Sequence, residues 1–204
     1  QRMAIAVSLV RNILVNEGQC MVVVRSRRDV EKVAEEISRY LDASRFFDPD
    51  SRALLSLKKM EREKLRRKIQ HSEPELPVCA KKLALLMNNG VAYHHAGLPA
   101  KYREIIEYGV REQLVKALVT TTTFEVGVNL PISTVIFLDL SKGRKIMPVR
   151  TYKNLAGRAG RPEFDVKGES IIITLEEEEF ERLRNLYFLS EEEPIESSIK
   201  YFMR

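Results

Sequence analysis

Met21, Val22, Val23 and Val24 form an unbroken apolar run, three of the four β-branched, and that run restricts the fold more than any other stretch. A strand with no polar alternation is buried on both faces, as in the middle of a parallel sheet. Parallel strands need crossovers, and the sequence supplies them. Upstream, Ile5, Leu9, Val10, Ile13 and Leu14 keep helical spacing before Gly18 stops the pattern. Downstream, Asp29 opens a helix carrying Val30, Val33, Ile37 and Leu41 on one stripe.

The alternation then returns. A helix is expected around Ala80 to Met87, a strand at Val91–Tyr93, a helix from Pro99 to Tyr108 and a strand from Val115 to Thr120. A strand from Val135 to Asp139, a short helix near Tyr152 to Ala156 and a strand from Ser170 to Thr174 follow. Strands separated by helices predict an α/β fold: a parallel sheet flanked by helices, joined by right-handed crossovers.

Two stretches depart from that rhythm. Residues 42–76 place Leu54, Leu57, Leu65 and Ile69 among dense charge and read as a helical insertion, a solvated face laced with pairs such as Glu63 with Arg67. From Thr174 to Glu177 the tail shows a capping-box pattern and continues as an amphipathic helix through Phe180, Leu183 and Tyr187. Residues 1–175 are thus expected to form one domain, with 176–204 a helix and an exit towards a further domain. No closing element follows Pro194, which suggests a piece of a longer protein.

At 44 % hydrophobic and 31 % charged, the composition is that of an ordinary soluble globular chain. A net charge of +5 is compatible with a polyanion and compatible with solubility alone. Two widely spaced cysteines, Cys20 and Cys79, and the lack of a long apolar run predict a reduced, cytoplasmic setting with no membrane span; a nucleoid-associated location fits equally.

Residues 154–161 hold the densest chemistry. Arg158 and Arg161 each follow a glycine, Gly157 and Gly160, three residues apart. Guanidinium groups are permanently charged forks suited to phosphate, and glycine allows close backbone approach; the alternative is a solvated Gly/Arg turn. Ser26 and Arg27 lie just past the carboxyl end of the first strand, the edge where open α/β sheets place ligands, and equally fit a polar cap on the next helix. Thr121, Thr122 and Thr123 can offer hydroxyls and amides to phosphate oxygens, beside the plainer reading of a β-branched strand end. His94 and His95 are adjacent and so point to opposite faces of a strand, and no further ligands stand at metal-site spacing, which argues against zinc.

Three blocks, in order, resemble the superkiller-like DExH branch of superfamily 2 helicases. Val22–Arg27 is similar to the fourth motif. Tyr93-His94-His95-Ala96-Gly97-Leu98, with Thr121 to Pro131, is similar to the His-His-Ala-Gly-Leu segment and fifth motif; Asn154 to Arg161 is similar to the sixth. The likeness spans roughly residues 20 to 175 and implies the second RecA-like motor domain of a helicase. It implies arginine fingers at Arg158 and Arg161, with Asn154 where the family often has Gln. It implies nucleotide contacts near Gly127, Asn129, Gly157 and Gly160. A nucleic-acid track, DNA or RNA, would run past Ser26, Arg27, His95, Gly97, Thr121, Thr122 and Thr123. Glu125 stands where relatives usually carry a small residue.

A motor of this class also needs a Gly-Lys-Thr/Ser phosphate loop and an Asp-Glu pair for Mg2+ and the attacking water. Neither Gly-Lys nor Asp-Glu occurs in the chain. ATP and Mg2+ are therefore expected to be held mainly by an N-terminal motor domain not included in the sequence, and the chain alone is expected to be inactive. Two alternatives stand beside this reading: a degenerate motor half that only binds nucleic acid or protein, and a translocase that does not unwind.

Overall fold

The structure, a computed structural model, describes residues 1–47, 49, 56, 58–122, 132–142, 145–160 and 168–189. The parallel sheet expected from the alternation forms. Its strands are β1 (Cys20–Val24), β2 (Val91–His94), β3 (Ala117–Thr121), β4 (Thr134–Phe137) and β7 (Glu169–Ile172), in the order β2-β3-β1-β4-β7. Every pairing between them is parallel. β1 lies in the middle with all five residues buried, as its unbroken apolar run requires.

Register sets the strands level at their carboxyl ends. His94 pairs with Thr120, Thr120 with Val23, Val23 with Phe137 and Phe137 with Ile172, one row across the whole sheet. The loops that leave β1, β2 and β3 therefore emerge side by side. Gly90 helps to set the opposite edge: it takes a φ of 64°, which a side chain disfavours, and its carbonyl accepts the amides of Lys116 and Ala117 at the start of β3.

Helices cover the sheet. α1 (Arg2–Val15) buries Ala6, Val7, Val10 and Leu14; α2 (Arg27–Phe47) packs on β2 and β3 through a stripe that includes Val30, Val33, Ile37 and Leu41. α4 (Val78–Leu86), α5 (Ala100–Arg111) and α6 (Val149–Ala156) each start after a proline, Pro77, Pro99 and Pro148. Proline has no amide to leave unpaired at a helix start, and each prolyl carbonyl accepts a first-turn amide. α1 ends at Val15, before Gly18, in a turn where Glu17 takes a φ of 61°.

The charged insertion docks rather than standing off. α3 (Lys59–Gln70) buries Arg62, Leu65 and Ile69, spaced three and four apart, and packs on α4 and α5. Its outer face does carry ion pairs, but Glu63 holds Arg66 tightly and Arg67 only at 3.4 Å. Gly109 of α5 makes room for this contact, since a Cβ there would stand 2.7 Å from Leu65 Cδ2.

After β4 a short antiparallel hairpin, β5 (Ser141–Lys142) and β6 (Lys145–Ile146), is closed at its base by the Met147 amide on the Leu140 carbonyl. The tail differs from expectation in its first turn. α7 runs Glu177–Arg184 with Glu176 at its start and no side-chain cap, so the Thr174 capping box does not form. Glu179 instead accepts the Leu175 amide at 3.2 Å and pairs with Arg2 of α1, which fixes the entry from the carboxylate side. Beyond α7, the Tyr187 hydroxyl donates to the Met147 carbonyl at 2.7 Å and its ring lies 4.5 Å from that of Tyr152.

Candidate functional site

Those of the residues singled out in sequence that the structure describes fall towards two opposite edges of one sheet. At the carboxyl edge, Ser26 opens α2: its hydroxyl accepts the Asp29 amide at 3.2 Å and donates to the Asp29 carboxylate, so the capping role is occupied. Arg27, the first residue of α2, is exposed. Its guanidinium reaches past the end of β3 to the β2 loop, where Nη1 stands 3.1 Å from the position a Cβ on Gly97 would take. Thr121 ends β3 between these two loops, buried, with Thr122 half-buried beside it.

The β2 loop is a tight turn. The Leu98 amide donates to the His95 carbonyl at 3.0 Å, and the Gly97 amide donates to His95 Nδ1 at 3.1 Å. Ala96 and Gly97 are exposed while His95 and Leu98 are buried, so the outward tip is backbone and a methyl group. The His95 ring stacks on Tyr93, centroids 5.8 Å apart and planes 19° apart. Its Nε2 is sealed from solvent and faces Glu31 Oε1 at 3.9 Å. Burial is the main cause holding the His95 pKa below its ordinary value; Arg27 acts in the same direction and Glu31 opposes.

His94 points the other way, as alternation in a strand demands. Its Nε2 faces Glu107 of α5 at 3.3 Å. Burial first, then the charges of Arg103 and His95, push its pKa down to about 4, so the imidazole is neutral at ordinary pH. Among the described residues, no group of three or more His, Cys, Asp or Glu side chains converges to hold a metal ion.

Arg158 lies at the far edge. α6 descends from the carboxyl side, and after it Ala159 bridges in parallel to Ile132, just ahead of β4. The Gly160 amide donates to the Ile132 carbonyl at 2.9 Å, and a Cβ on Gly168, which precedes β7, would fall onto the Ala159 carbonyl. Of the two glycines that flank Arg158 in sequence, only Gly160 needs to be one for its dihedrals, with a φ of 102°; Gly157 is right-handed at −65°. Arg158 is half-buried, and Asn154, one turn earlier on α6, is exposed. Asn154 stands on the last turn of α6, and Arg158 lies just past its end, where its amide donates to the Leu155 carbonyl at 3.1 Å.

Thr123, Glu125, Gly127, Asn129 and Arg161 lie outside the described residues. Residues not anticipated from sequence enter the carboxyl edge too. Arg25 Nη1 donates to the Leu140 carbonyl, tying the exit of β1 to the exit of β4. Lys82 of α4 pairs with Glu31 at 2.8 Å and with Glu35 at 3.1 Å, a contact between segments 51 residues apart that no local pattern announces.

Residues 66–163 match the model of the helicase conserved C-terminal domain. The chain is 36 % identical over 197 residues to the ATP-dependent DNA helicase Hel308 of Methanocella arvoryzae, which covers 94 % of the chain and 25 % of that relative. It is 32 % identical over 198 residues to Hel308 of Pyrobaculum calidifontis, with 95 % of the chain and 26 % of the relative covered. A third relative, Hel308 of Caldivirga maquilingensis, is 33 % identical over 199 residues, covering 94 % and 25 %. The chain spans about a quarter of the length of these curated relatives. Parallel sheet, flanking helices and domain match together describe a RecA-like α/β fold of a helicase C-terminal domain.

Proposed function

Because the chain carries a helicase conserved C-terminal domain on a RecA-like fold, we propose that it is the second motor domain of an ATP-dependent, superkiller-like DNA helicase of superfamily 2. The observation that carries this reading is the division of labour between the two sheet edges. Arg27, the Ala96–Gly97 tip and the Thr121–Thr122 strand end converge at the carboxyl edge. Arg158 is fixed at the amino edge by the bonds of Ala159 and Gly160 to Ile132.

The carboxyl edge suits a strand of DNA. Arg27 presents an exposed guanidinium beside the exposed Ala96–Gly97 tip, which is the chemistry of phosphate contact rather than base reading. Ser26 contributes by starting α2 where Arg27 must stand, and Thr121, Thr122 and Thr123 extend the same track. Relatives named as DNA helicases support DNA over RNA.

The amino edge suits an anion. A half-buried guanidinium just past a helix end, with an exposed amide side chain four residues earlier in the sequence, supplies donors that can serve an anion. ATP, bound with Mg2+ mainly by the N-terminal motor domain, supplies the free energy of phosphoryl transfer. Arg158 would neutralise charge on the terminal phosphate with Asn154 assisting and with Gly157 and Gly160 as backbone contacts; Arg161, Gly127 and Asn129 are assigned to the same nucleotide by sequence resemblance alone. Such cationic fingers contribute on the order of 10³ to 10⁵ in rate.

In the intact protein, Arg158→Ala or Arg161→Ala should reduce DNA-stimulated ATP turnover by about 10³ or more while leaving the circular dichroism spectrum and DNA binding in place. Turnover at the parent rate in both variants would remove the finger assignment. Strand displacement by the intact protein on a tailed duplex tests unwinding itself, and ATP turnover without displacement would make it a translocase.

A further inference from the structure

We infer that His95 is a positioning residue for the DNA-gripping turn, held as the neutral Nε2–H tautomer between the Gly97 amide and the Glu31 carboxylate, and not itself a DNA contact. This rests on the helicase reading above. Both ring nitrogens face inward: Nδ1 is hydrogen-bonded, and Nε2 is buried without a hydrogen bond. Nδ1 accepts the Gly97 N–H at 3.1 Å, so in the neutral ring the proton sits on Nε2. Nε2 has no access to solvent and looks at Glu31 Oε1, 3.9 Å away. No face of the ring is left for a strand either, since one side lies on Tyr93 and the residue is 8 % exposed.

What His95 does is shape the tip. A turn from His95 to Leu98 has one backbone bond, Leu98 N–H to His95 C=O, and the imidazole adds the second. That second bond fixes the Gly97 amide inward. A Cβ built on Gly97 stands 3.1 Å from both His95 Nδ1 and Arg27 Nη1, so the glycine is held in a slot between the ring beneath and the guanidinium above. Ring, turn and Arg27 are thus one unit, and freeing the ring frees the edge on which Arg27 rests.

The carboxylate that faces Nε2 is itself held. Lys82 Nζ donates to Glu31 Oε2 at 2.8 Å, while Oε1 is the oxygen turned to His95. The chain of groups therefore runs from α4 through α2 to the β2 loop: Lys82, Glu31, His95, Gly97 N–H. The Gly97 amide on Nδ1 selects the tautomer with the proton on Nε2, on the side of the Glu31 carboxylate. Full protonation would remove the acceptor. Burial first, and Arg27 after it, lower the ring's pKa against the opposing effect of Glu31.

The test is a pair of isosteric substitutions in the intact protein, read with a labelled single-stranded oligonucleotide and with ATP turnover against oligonucleotide concentration. Asn places its Oδ1 near the position of Nδ1; Gln places its terminal atoms near Nε2. His95→Asn should bind within about threefold of the parent. His95→Gln and His95→Ala should bind roughly tenfold or more weakly and need correspondingly more DNA for half-maximal turnover. Binding retained by Gln and lost by Asn would assign a contact through Nε2 and overturn the inference, as would parent-like binding in all three.

The ring itself offers a reading that needs no variant to fold. Nitrogen-15 correlation spectra of the unmodified protein should show His95 neutral with the proton on Nε2; a proton on Nδ1 overturns the inference. If the unmodified protein binds no strand at all, the helicase reading falls first and this one with it. If it binds while the tautomer or the Asn/Gln order is reversed, this one falls alone.

Discussion

The Gly160 amide and the Ile132 carbonyl meet at 2.9 Å, so the end of α6 is stitched to the amino end of β4. With Ala159 bridged to Ile132 and Gly168 pressed against Ala159, the segment that carries Arg158 cannot shift without disturbing the entries of two strands. Rigidity of this kind is what a charged side chain needs if it is to act at a fixed point.

Gly160→Ala tests that stitch. Its φ of 102° is open to glycine and costly for any residue with a Cβ, about 1–2 kcal/mol by the usual penalty for left-handed backbone. The urea midpoint of the chain should fall accordingly, and ATP turnover of the intact protein should fall further than DNA binding. An unchanged midpoint would mean that the backbone here is not held as described.

His94 sets a dependence of stability on acid. Its pKa of about 4 in the fold lies below the ordinary 6.5, so the unfolded chain takes up the proton first. The contribution is therefore full above about pH 6.5, declines as pH falls and is gone once pH passes below about 4; at about 1.4 kcal/mol per pH unit it amounts to roughly 3 kcal/mol. His95, shifted in the same direction, adds to the slope. Urea unfolding from pH 7 to pH 4 should show this loss, and His94→Gln should flatten it.

Leu65→Ala asks whether the inserted helix belongs to the domain. Leu65 is 4 % exposed and touches the site that Gly109 leaves open. Truncation should cost about 2–4 kcal/mol in a single cooperative unfolding transition. A separate early transition for α3, with the rest unaffected, would show it to be a loosely attached appendage.

Tyr187→Phe measures how firmly the tail holds. The hydroxyl bond to the Met147 carbonyl is lost while the ring remains against Tyr152, so a cost of about 1 kcal/mol is expected. Tyr187→Ala should cost several times more, because the ring leaves the cluster with Tyr152 and Phe137. Thermal melts of the two variants give the comparison directly.

Periodicity made the sheet legible. The Met21–Val24 run could only be a doubly buried strand, and its place in the middle of the order β2-β3-β1-β4-β7 agrees. Strand ends were readable to within two residues for the same reason, as apolar runs stop where burial stops. Ligand loops at the carboxyl edge followed from the parallel topology. The position of Arg158 did not follow: only the bridge from Ala159 to Ile132, a contact over 27 residues that leaves no local trace, carries it to the other edge.

Charge misled at two points. In α3, seven basic and acidic neighbours hid a buried stripe at Arg62, Leu65 and Ile69, because the long arms of Lys and Arg cover apolar surface and leave the pattern polar in appearance. At Thr174 the capping-box spacing was present, but Glu179 found Arg2 across the fold and set the turn instead. His95 was nominated by its motif, whereas the carboxylate that its Nε2 faces, Glu31, and the Lys82 that holds it come from other elements.

The level carboxyl ends of the strands have a mechanical meaning. A strand of five residues is about 16 Å long, stiff along its axis, and β1 and β3 both run from the edge of Arg158 to the edge of Arg27. Two ligands held at the ends of such a bundle of struts stay at constant separation. On the function proposed above, a swing of the domain imposed at the Arg158 edge would appear at the Arg27 edge as displacement of a bound strand, with the sheet serving as the lever arm between them.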